Sequence, residues 1–373
     1  MQPSDLLETI LRGTEHDLDS AWQQVSASRG KGDKSLVARV ERAVAENPSA
    51  TISFDATGNA TVSGAGRQFA GGRFSVPSIE SLKASVAKQD TGKRSAVRFS
   101  VIEGTSPITD IGALQAMASE ATLFQAASQF NCLEAPGPFL VDVNSYLTDP
   151  TQGPRASVSA FPATLVRHYA APDGSGGRFV QSHDRQINLL ADALPPAIGL
   201  VNSGYLQVSG IPDLPVAAAA LEANFERIRI GVHDDAQVVL GHAWDGGVEG
   251  QPHIAQTFTS TLAAGGYGRG EPIRGAVETI CQQLLRAAYL GTLLAALDLG
   301  KRRVVLTMIG GGVFGNPHRL ICESALWAVD EIERLACGSL EVVLNSRDLA
   351  RDVDRAWLKD ACQRRGGVFR ILS

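Results

Sequence analysis

The stretch Val304-Val-Leu-Thr-Met-Ile-Gly-Gly-Gly-Val-Phe-Gly-Asn316 is a β-branched apolar run that stops at three glycines. After Asn316-Pro317-His318 the apolar residues Leu320, Ile321, Ala325, Trp327, Ala328 and Ile332 recur at helical spacing, with Glu323, Asp330 and Glu331 between them. The pattern predicts a buried strand, a glycine turn and then a helix. A turn without side chains at that position leaves backbone N–H groups free to cradle a phosphate or diphosphate. A tight connecting turn has the same appearance, so the rest of the chain must decide between them.

The neighbouring pattern repeats this order. From residue 95 onward strands and helices alternate: strands are expected at 96–102, 122–127, 227–232, 237–242, 303–309 and 341–345. Helices are expected at 111–120, 158–168, 277–299 and 320–336. Alternation of this kind predicts an α/β fold, a three-layer α/β/α mixed sheet whose ligands bind beyond the carboxyl ends of the strands. Residues 1–93 read differently. Two helical stretches, 6–25 and 36–45, are broken by Ser28-Arg-Gly-Lys-Gly-Asp33, and 50–74 suggests a small hairpin or meander. The expected division is an N-terminal helical and hairpin extension over 1–93 and a ligand-binding domain over 94–373.

Composition narrows the function. The chain has 373 residues, 44% of them hydrophobic, and a formal net charge of −5 without a basic run, so nucleic acid is not expected as a partner. No unbroken apolar run reaches membrane-spanning length, and the polar start Met1-Gln-Pro-Ser-Asp5 does not resemble a leader, so no membrane is expected. Cys132, Cys281, Cys322, Cys337 and Cys362 are scattered without a CxxC pair, which argues against a metal cluster or disulfide framework. No metal and no cofactor is expected. A reducing, cytoplasmic location is the expectation.

Three further segments carry candidate chemistry. Thr122-Leu-Phe-Gln-Ala-Ala127 leads into Ser128-Gln-Phe-Asn-Cys-Leu-Glu134. The small Ala127 lets a ligand approach the backbone, Gln125, Gln129 and Asn131 offer amides, and Phe130 could cover a sugar or base. Thr151, Gln152 and Gly153, within Asp149-Pro-Thr-Gln-Gly-Pro-Arg155, could form a second anion-binding turn at a helix start, and Arg167 is a candidate for a charge-assisted phosphate contact. Asp234 and Asp235, in Gly231-Val-His-Asp-Asp-Ala-Gln237, could hold a cation or orient a water. His233 and His242 lack a third ligand at metal spacing.

Together these segments resemble a macrodomain, the ADP-ribose-binding α/β/α fold. Phe99-Ser-Val-Ile-Glu-Gly-Thr-Ser-Pro-Ile-Thr109 is similar to its opening strand and turn, and Leu123-Phe-Gln-Ala-Ala-Ser128 to its Asn-rich strand end. The last loop of the family is matched by Gly310, Gly311, Gly312, Val313, Phe314, Gly315 and Asn316. Gln129-Phe-Asn131, Thr151-Gln-Gly-Pro154, Arg167-His-Tyr169, Gln186-Ile-Asn188 and Val232-His-Asp-Asp235 resemble a divergent branch, the arginine-specific hydrolases that include bacterial effectors acting on ADP-ribosylated ubiquitin. The resemblance implies an ADP-ribosylhydrolase that frees ADP-ribose from arginine of a modified protein, ubiquitin among the candidates. It places Asp235 in catalysis, Asp234 second and Asp245 in support. The effector likeness leaves secretion open beside the cytoplasm. A non-catalytic reader of ADP-ribose or a related nucleotide is the alternative.

Departures from the pattern bear on both readings. Thr105 stands where many macrodomains carry an adenine-binding Asp, Ser128 where an Asn meets the distal ribose, and Gln237 where an acid is expected. The spaced Gly-Gly-Gly-x6–8-Gln-Glu-Glu signature of poly(ADP-ribose) glycohydrolases is absent, so polymer cleavage is not expected.

Overall fold

Strands buried on both faces need helices on both sides, and the computed structural model meets that demand. It describes residues 5–89, 93–265, 273–335, 337–349 and 353–372, with the side chains of 93–95 and 337 outside the description. The polar start at 1–4 therefore lies outside the described residues, as does the Cys337 side chain. The expected boundary at 93/94 adjoins 90–92, which also lie outside them.

Among the described residues ten strands form one sheet. In chain order they are β1 (Ile52–Phe54), β2 (Ala60–Gly64), β3 (Arg67–Ser75), β4 (Lys93–Glu103), β5 (Thr122–Ala127), β6 (Gly231–Gln237), β7 (His253–Thr259), β8 (Arg303–Thr307), β9 (Cys337–Asn345) and β10 (Phe369–Ile371). Their spatial order is β1-β2-β3-β6-β7-β5-β8-β9-β4-β10. The run from β7 to β10 is parallel, and β6 is antiparallel to both β7 and β3. Thr259 pairs with Ala127, and Val305 with Phe124, so the carboxyl ends of β7, β5 and β8 lie at one edge.

The helices used below are α1 (Leu6–Arg12), α2 (Glu15–Ser28), α3 (Ser35–Glu46), α4 (Ile111–Ala116), α5 (Gln152–Ser159), α6 (Phe161–Tyr169), α7 (Ala276–Asp298) and α8 (His318–Glu333). Alternate residues of β7 reach opposite layers. Thr257 Oγ1 lies 3.0 Å from Thr292 Oγ1 on α7, whereas Gln256 Nε2 donates to Ala156 O on α5 at 2.9 Å. A period-two strand can touch two helices in this way only if they cover its two faces. The α/β/α layering expected from the sequence is present.

Several expected elements shift. The single helix over 158–168 is two, α5 and α6, broken at Ala160 ahead of Pro162, whose ring suits the first turn of a helix. The two strands expected around an acidic turn are one, β6. Its register slips between His233 and Ala236, and Asp235 takes φ 59 in the resulting bulge. Residues 341–345 belong to a longer β9, and β10 follows it.

Residues 1–93 are integrated with the rest. The meander β1-β2-β3 is antiparallel and continues the main sheet through β3 and β6. At the amino end of β8, Arg303 binds Asp5 Oδ2 at 2.6 Å and Glu8 Oε2 at 2.7 Å from α1, and Glu341 Oε2 at 2.8 Å from β9.

The helix α7 is long and apolar enough to cross a membrane by length and composition, but it lies buried in this fold, packed on α8. Leu293 on its inner face is fully buried. Replacing Leu293 with Ala is expected to cost ~2–5 kcal/mol of unfolding free energy, the range for a buried Leu that leaves a cavity. Urea unfolding followed by circular dichroism measures it; a loss under ~1 kcal/mol would contradict this placement of α7.

Candidate functional site

A cleft of about 190 Å³ opens at the carboxyl edge of β7, β5 and β8. One wall is the glycine turn after β8, a second is the loop after β5, and the third is the start of α5.

The glycine turn is held from behind. Asn316 Nδ2 donates to Leu262 O at 2.9 Å, and Asn316 N–H returns to Gly310 O at 2.9 Å. Gly310 needs its φ of 74, and a Cβ there would meet Thr261 Oγ1 at 2.4 Å. Gly312 faces open space, and the N–H groups of Gly310, Gly312 and Val313 donate no hydrogen bond among the described residues. Across the cleft, Gln152 and Gly153 open α5 with the uncommitted N–H groups of a first helical turn. Directed N–H groups on two walls suit an anionic ligand in a chain that is acidic overall.

The loop after β5 supplies a carboxyl group. Ser128 N–H donates to Thr259 O at 2.9 Å, Gln129 N–H to Leu133 O at 3.2 Å and Leu133 N–H to Asn131 Oδ1 at 3.0 Å, with Cys132 at φ 62. The chain thereby curls back and delivers Glu134 to the strand end. Glu134 is 4% exposed; its Oε1 accepts from Ser157 Oγ at 3.0 Å. Its Oε2 lies 2.8 Å from where a Cβ on Gly153 would stand, so only glycine leaves room beside it. Burial is the main cause that pushes the Glu134 carboxyl up to about 8; the Ser157 hydrogen bond and Arg167 oppose it, and Asp149 adds to it. A carboxyl at about 8 keeps its proton at neutral pH; Oε1 accepts from Ser157, and Oε2 is the oxygen beside Gly153.

Two buried acceptors complete the cleft. Gln129 Nε2 is committed to Ala135 O at 3.1 Å and Tyr205 Oη at 3.3 Å, which leaves Gln129 Oε1 unpartnered. Thr261 Oγ1 is likewise buried without a partner. Orphaned acceptors at nine-tenths burial call for hydroxyl donors from a ligand. Among the described residues no group of three or more His, Cys, Asp or Glu is arranged to hold a metal ion.

Of the residues singled out from sequence, Ala127, Gln129, Thr151, Gln152, Gly153, Gly310, Gly312, Val313 and Phe314 line this cleft. Gln152 does so while its side chain closes the end of β5, accepting from Ala127 N–H at 3.1 Å and donating to Gln125 O at 3.3 Å. Others serve the cleft from behind. Gly311 faces His318 and Ile321 of α8, Gly315 packs on Gly265, and Asn316 staples the turn.

Phe130 covers no ligand: it is 2% exposed and part of the core. Asn131 is spent on Gln186 Oε1 and Leu133 N–H. Arg167 does not reach the cleft as a phosphate ligand. It is fully buried, stacked 3.5 Å above the Phe258 ring, with Nε donating to Cys132 O and Nη2 to Thr164 Oγ1.

The three aspartates lie elsewhere. Because β6 runs antiparallel, Asp234 and Asp235 sit toward the amino ends of the parallel strands. There Asp234 pairs with Lys301 at 3.0 Å, and Asp235 with His253 at 2.6 Å. Asp245 sits beside the turn joining α2 and α3, its carbonyl accepting from Gly32 N–H at 2.7 Å. Gln237 accepts from Ala70 N–H, a sheet contact. The strand direction of β6, opposite to its neighbours, accounts for the separation of the Asp pair from the glycine turn.

The sequence reading missed Glu134, Asp149, Tyr205 and Thr261, all of which line the cleft. Glu134 had a signal: it is the first acid after the buried β5 and closes the loop already singled out.

No protein-family model matches the chain, and no curated protein matches it by sequence. Among solved structures, the chain is similar to poly(ADP-ribose) glycohydrolase from Thermomonospora curvata, at 17% identity over 87% of this chain and 97% of that one, with a TM-score of 0.43. It is also similar to poly(ADP-ribose) glycohydrolase from Deinococcus radiodurans, at 12% identity over 78% and 91%, with a TM-score of 0.41.

The raised Glu134 carboxyl has a consequence for stability. A carboxyl held up to about 8 keeps its proton when folded and loses it when unfolded between the ordinary Glu range and pH 8. The folded state then binds more protons, so its contribution to stability falls as pH rises through that window. His168 and His233, both held down by burial, act in the opposite region, below their ordinary value of 6.5. Urea midpoints measured between pH 6.5 and 8 are expected to decline in the wild type and to flatten in Glu134→Gln. Equal slopes in the two proteins would contradict a buried, protonated Glu134.

Proposed function

We propose that the chain is an ADP-ribosylhydrolase: it binds ADP-ribose in the cleft and cleaves the glycosidic bond between the distal ribose and a protein side chain. The observation that carries this reading is the protonated Glu134 carboxyl facing a cleft whose other walls offer free N–H groups and orphaned acceptors. The N–H groups of Gly310, Gly312 and Val313 suit the diphosphate. The acceptors Gln129 Oε1 and Thr261 Oγ1 suit ribose hydroxyls. Neither set has use for a purely apolar ligand.

The chemistry follows from the position of the proton. As the bond from the anomeric carbon to the leaving atom breaks, the ribose develops oxocarbenium character. Glu134 Oε2–H donates its proton to that leaving atom, and the carboxylate it becomes stabilises the positive ring. Water then adds to the anomeric carbon and returns a proton to Glu134, which restores the acid. For an arginine adduct, the leaving nitrogen takes the proton and departs as guanidinium. Asp149 lines the same cleft and could pair with it bidentately, which supports arginine as the modified side chain. Asp235, at the opposite edge of the sheet, has no step in this scheme.

Glu134→Gln preserves shape and removes the proton donor. It is expected to keep ADP-ribose affinity within a few-fold by calorimetry and to slow release from an ADP-ribosyl-arginine peptide by at least ~100-fold. Asp235→Asn is expected to leave turnover within ~2-fold, as for a surface group outside the site. Release unaffected by Glu134→Gln would overturn the assignment. Binding without release of any ADP-ribosyl linkage in wild type would establish the reader instead, and release from serine-linked or polymeric substrate alone would remove the arginine specificity.

Gly312→Glu places a carboxylate where the diphosphate would lie, at a position with space for it. A folded Gly312→Glu protein is expected to lose ADP-ribose binding in calorimetry. Unchanged affinity would rule out the glycine turn as the phosphate cradle.

A further inference from the structure

Beside the cleft, at the same edge of the sheet, lies an open groove of about 560 Å³. We propose that it is the docking surface for an acidic polypeptide segment that flanks the modified side chain of the substrate protein. The proposal rests on the hydrolase reading above for what the segment carries, and on the groove itself for its chemistry.

The floor is apolar, made by Phe74 and Val76 at the end of β3 and by Ile187. The rim is cationic, with the exposed Arg178, Arg185 and Arg229. Arg229 is paired with Asp192 at 2.6 Å. Arg178 and Arg185 make no ion pair among the described residues. Each guanidinium is stacked on an aromatic ring instead: Arg178 at 4.2 Å from the Phe54 centroid and Arg185 at 4.1 Å from that of Phe179. Stacking restrains the plane of a guanidinium and leaves its N–H edge free, so two forks are set in advance for carboxylate oxygens.

Asp173, a nearby acid, acts on Arg178 and Arg185 through space but forms no ion pair with either among the described residues. Its Oδ1 is occupied by Ser175 N–H, Ser175 Oγ and Gly177 N–H, all at 2.9 Å, which shape the glycine-rich turn on the groove's edge. An apolar floor with free arginine forks above it suits a peptide that alternates apolar and acidic side chains. A sugar–phosphate chain would satisfy the rim and waste the floor.

The groove is tied to the cleft through the loop after β5. Gln186, on the groove wall, accepts from Asn131 Nδ2 at 2.9 Å, and Leu189 N–H donates to Phe130 O at 2.9 Å. Phe130 and Asn131 belong to the same loop as Gln129 and Glu134. A segment lying in the groove therefore rests on the back of the wall that presents the catalytic carboxyl.

The test uses the charge-reversed double variant Arg178→Glu/Arg185→Glu of the full chain. A fluorescent peptide alternating Glu and Leu is expected to bind wild type and to lose at least ~5-fold in affinity on the variant, a scale set by reversing two partly exposed charges. Two peptides carrying ADP-ribosyl-arginine, flanked by Glu or by Lys, separate binding from chemistry. The variant is expected to raise KM for the Glu-flanked peptide and leave its kcat, and release from free ADP-ribosyl-arginine, unchanged. Equal Glu–Leu peptide affinity in wild type and variant would overturn the proposal, as would loss of oligo(ADP-ribose) binding with peptide binding intact. If wild type releases ADP-ribose from nothing, the hydrolase reading falls while the peptide affinities still decide the groove.

Discussion

A guanidinium with no ion pair among the described residues sits in the middle of this protein, and the loop that forms the cleft is built around it. Arg167 is fully buried, so every N–H it turns away from water must find a neutral acceptor or an aromatic face. Phe258 on β7 takes its face, Cys132 O takes Nε and Thr164 Oγ1 takes Nη2. Nη1 points to His233 Nδ1 at 3.5 Å. His233 Nε2 lies 2.6 Å from Gly71 O, so that nitrogen carries the ring proton and Nδ1 is the acceptor. Burial and the neighbouring Arg167 hold His233 down to about 3, which keeps it neutral and able to play that part. Cys132, whose carbonyl accepts from Arg167 Nε, takes φ 62 within the loop that curls back toward the strand end with Glu134. The cation thus shapes the acid's loop without touching the acid.

The same constraint separates what was legible in the sequence from what was not. The strand at 122–127 and the glycine turn after 303–307 could be read because period, glycine spacing and the following helix agree locally. The common edge of the two loops followed from parallel pairing. Arg167 could not be read: an Arg near a helix end is usually a solvated charge, and only long-range packing of Phe258 and Cys132 makes this one a core residue. The Asp234–Asp235 pair misled for a related reason. A pair of acids between two apolar runs suggests a turn at a strand end, but β6 continues through a bulge and points its acids away from the glycine turn. Strand direction is a property of pairing, and one strand's sequence does not contain it.

Residues 1–93 act on the cleft at a distance that composition alone could not reveal. Glu41 of α3 is buried and accepts from Val143 N–H at 2.6 Å, Asn144 N–H at 2.7 Å and Tyr169 Oη at 3.0 Å. Burial raises its carboxyl above the ordinary Glu range, and these three donors pull the other way. The segment it grips carries Tyr146, whose hydroxyl accepts from Glu134 N–H at 3.0 Å, and runs on to Asp149 on the cleft wall. The first helices of the chain therefore hold the outer wall of the site, as Arg167 holds the inner one.

An acid kept protonated at neutral pH costs folding free energy wherever the unfolded chain would ionise, so its burial needs a reason beyond packing. Ser157 donates to Oε1 and Ser128 adds a weaker hydrogen bond, Gly153 clears space at Oε2, and among the described residues no cation forms an ion pair with the carboxyl. A structural glutamate would be expected to gather donors on both oxygens, as Glu41 does a short distance away in the same fold. The contrast between the two buried carboxyls is internal to the molecule. One is held by donors at both oxygens; the other has Ser157 at Oε1 and faces a cleft in which Gln129 Oε1 and Thr261 Oγ1 lack partners. Unsatisfied groups that converge on one space share the penalty of having been buried, and a ligand carrying anionic and hydroxyl groups relieves it at several of them at once.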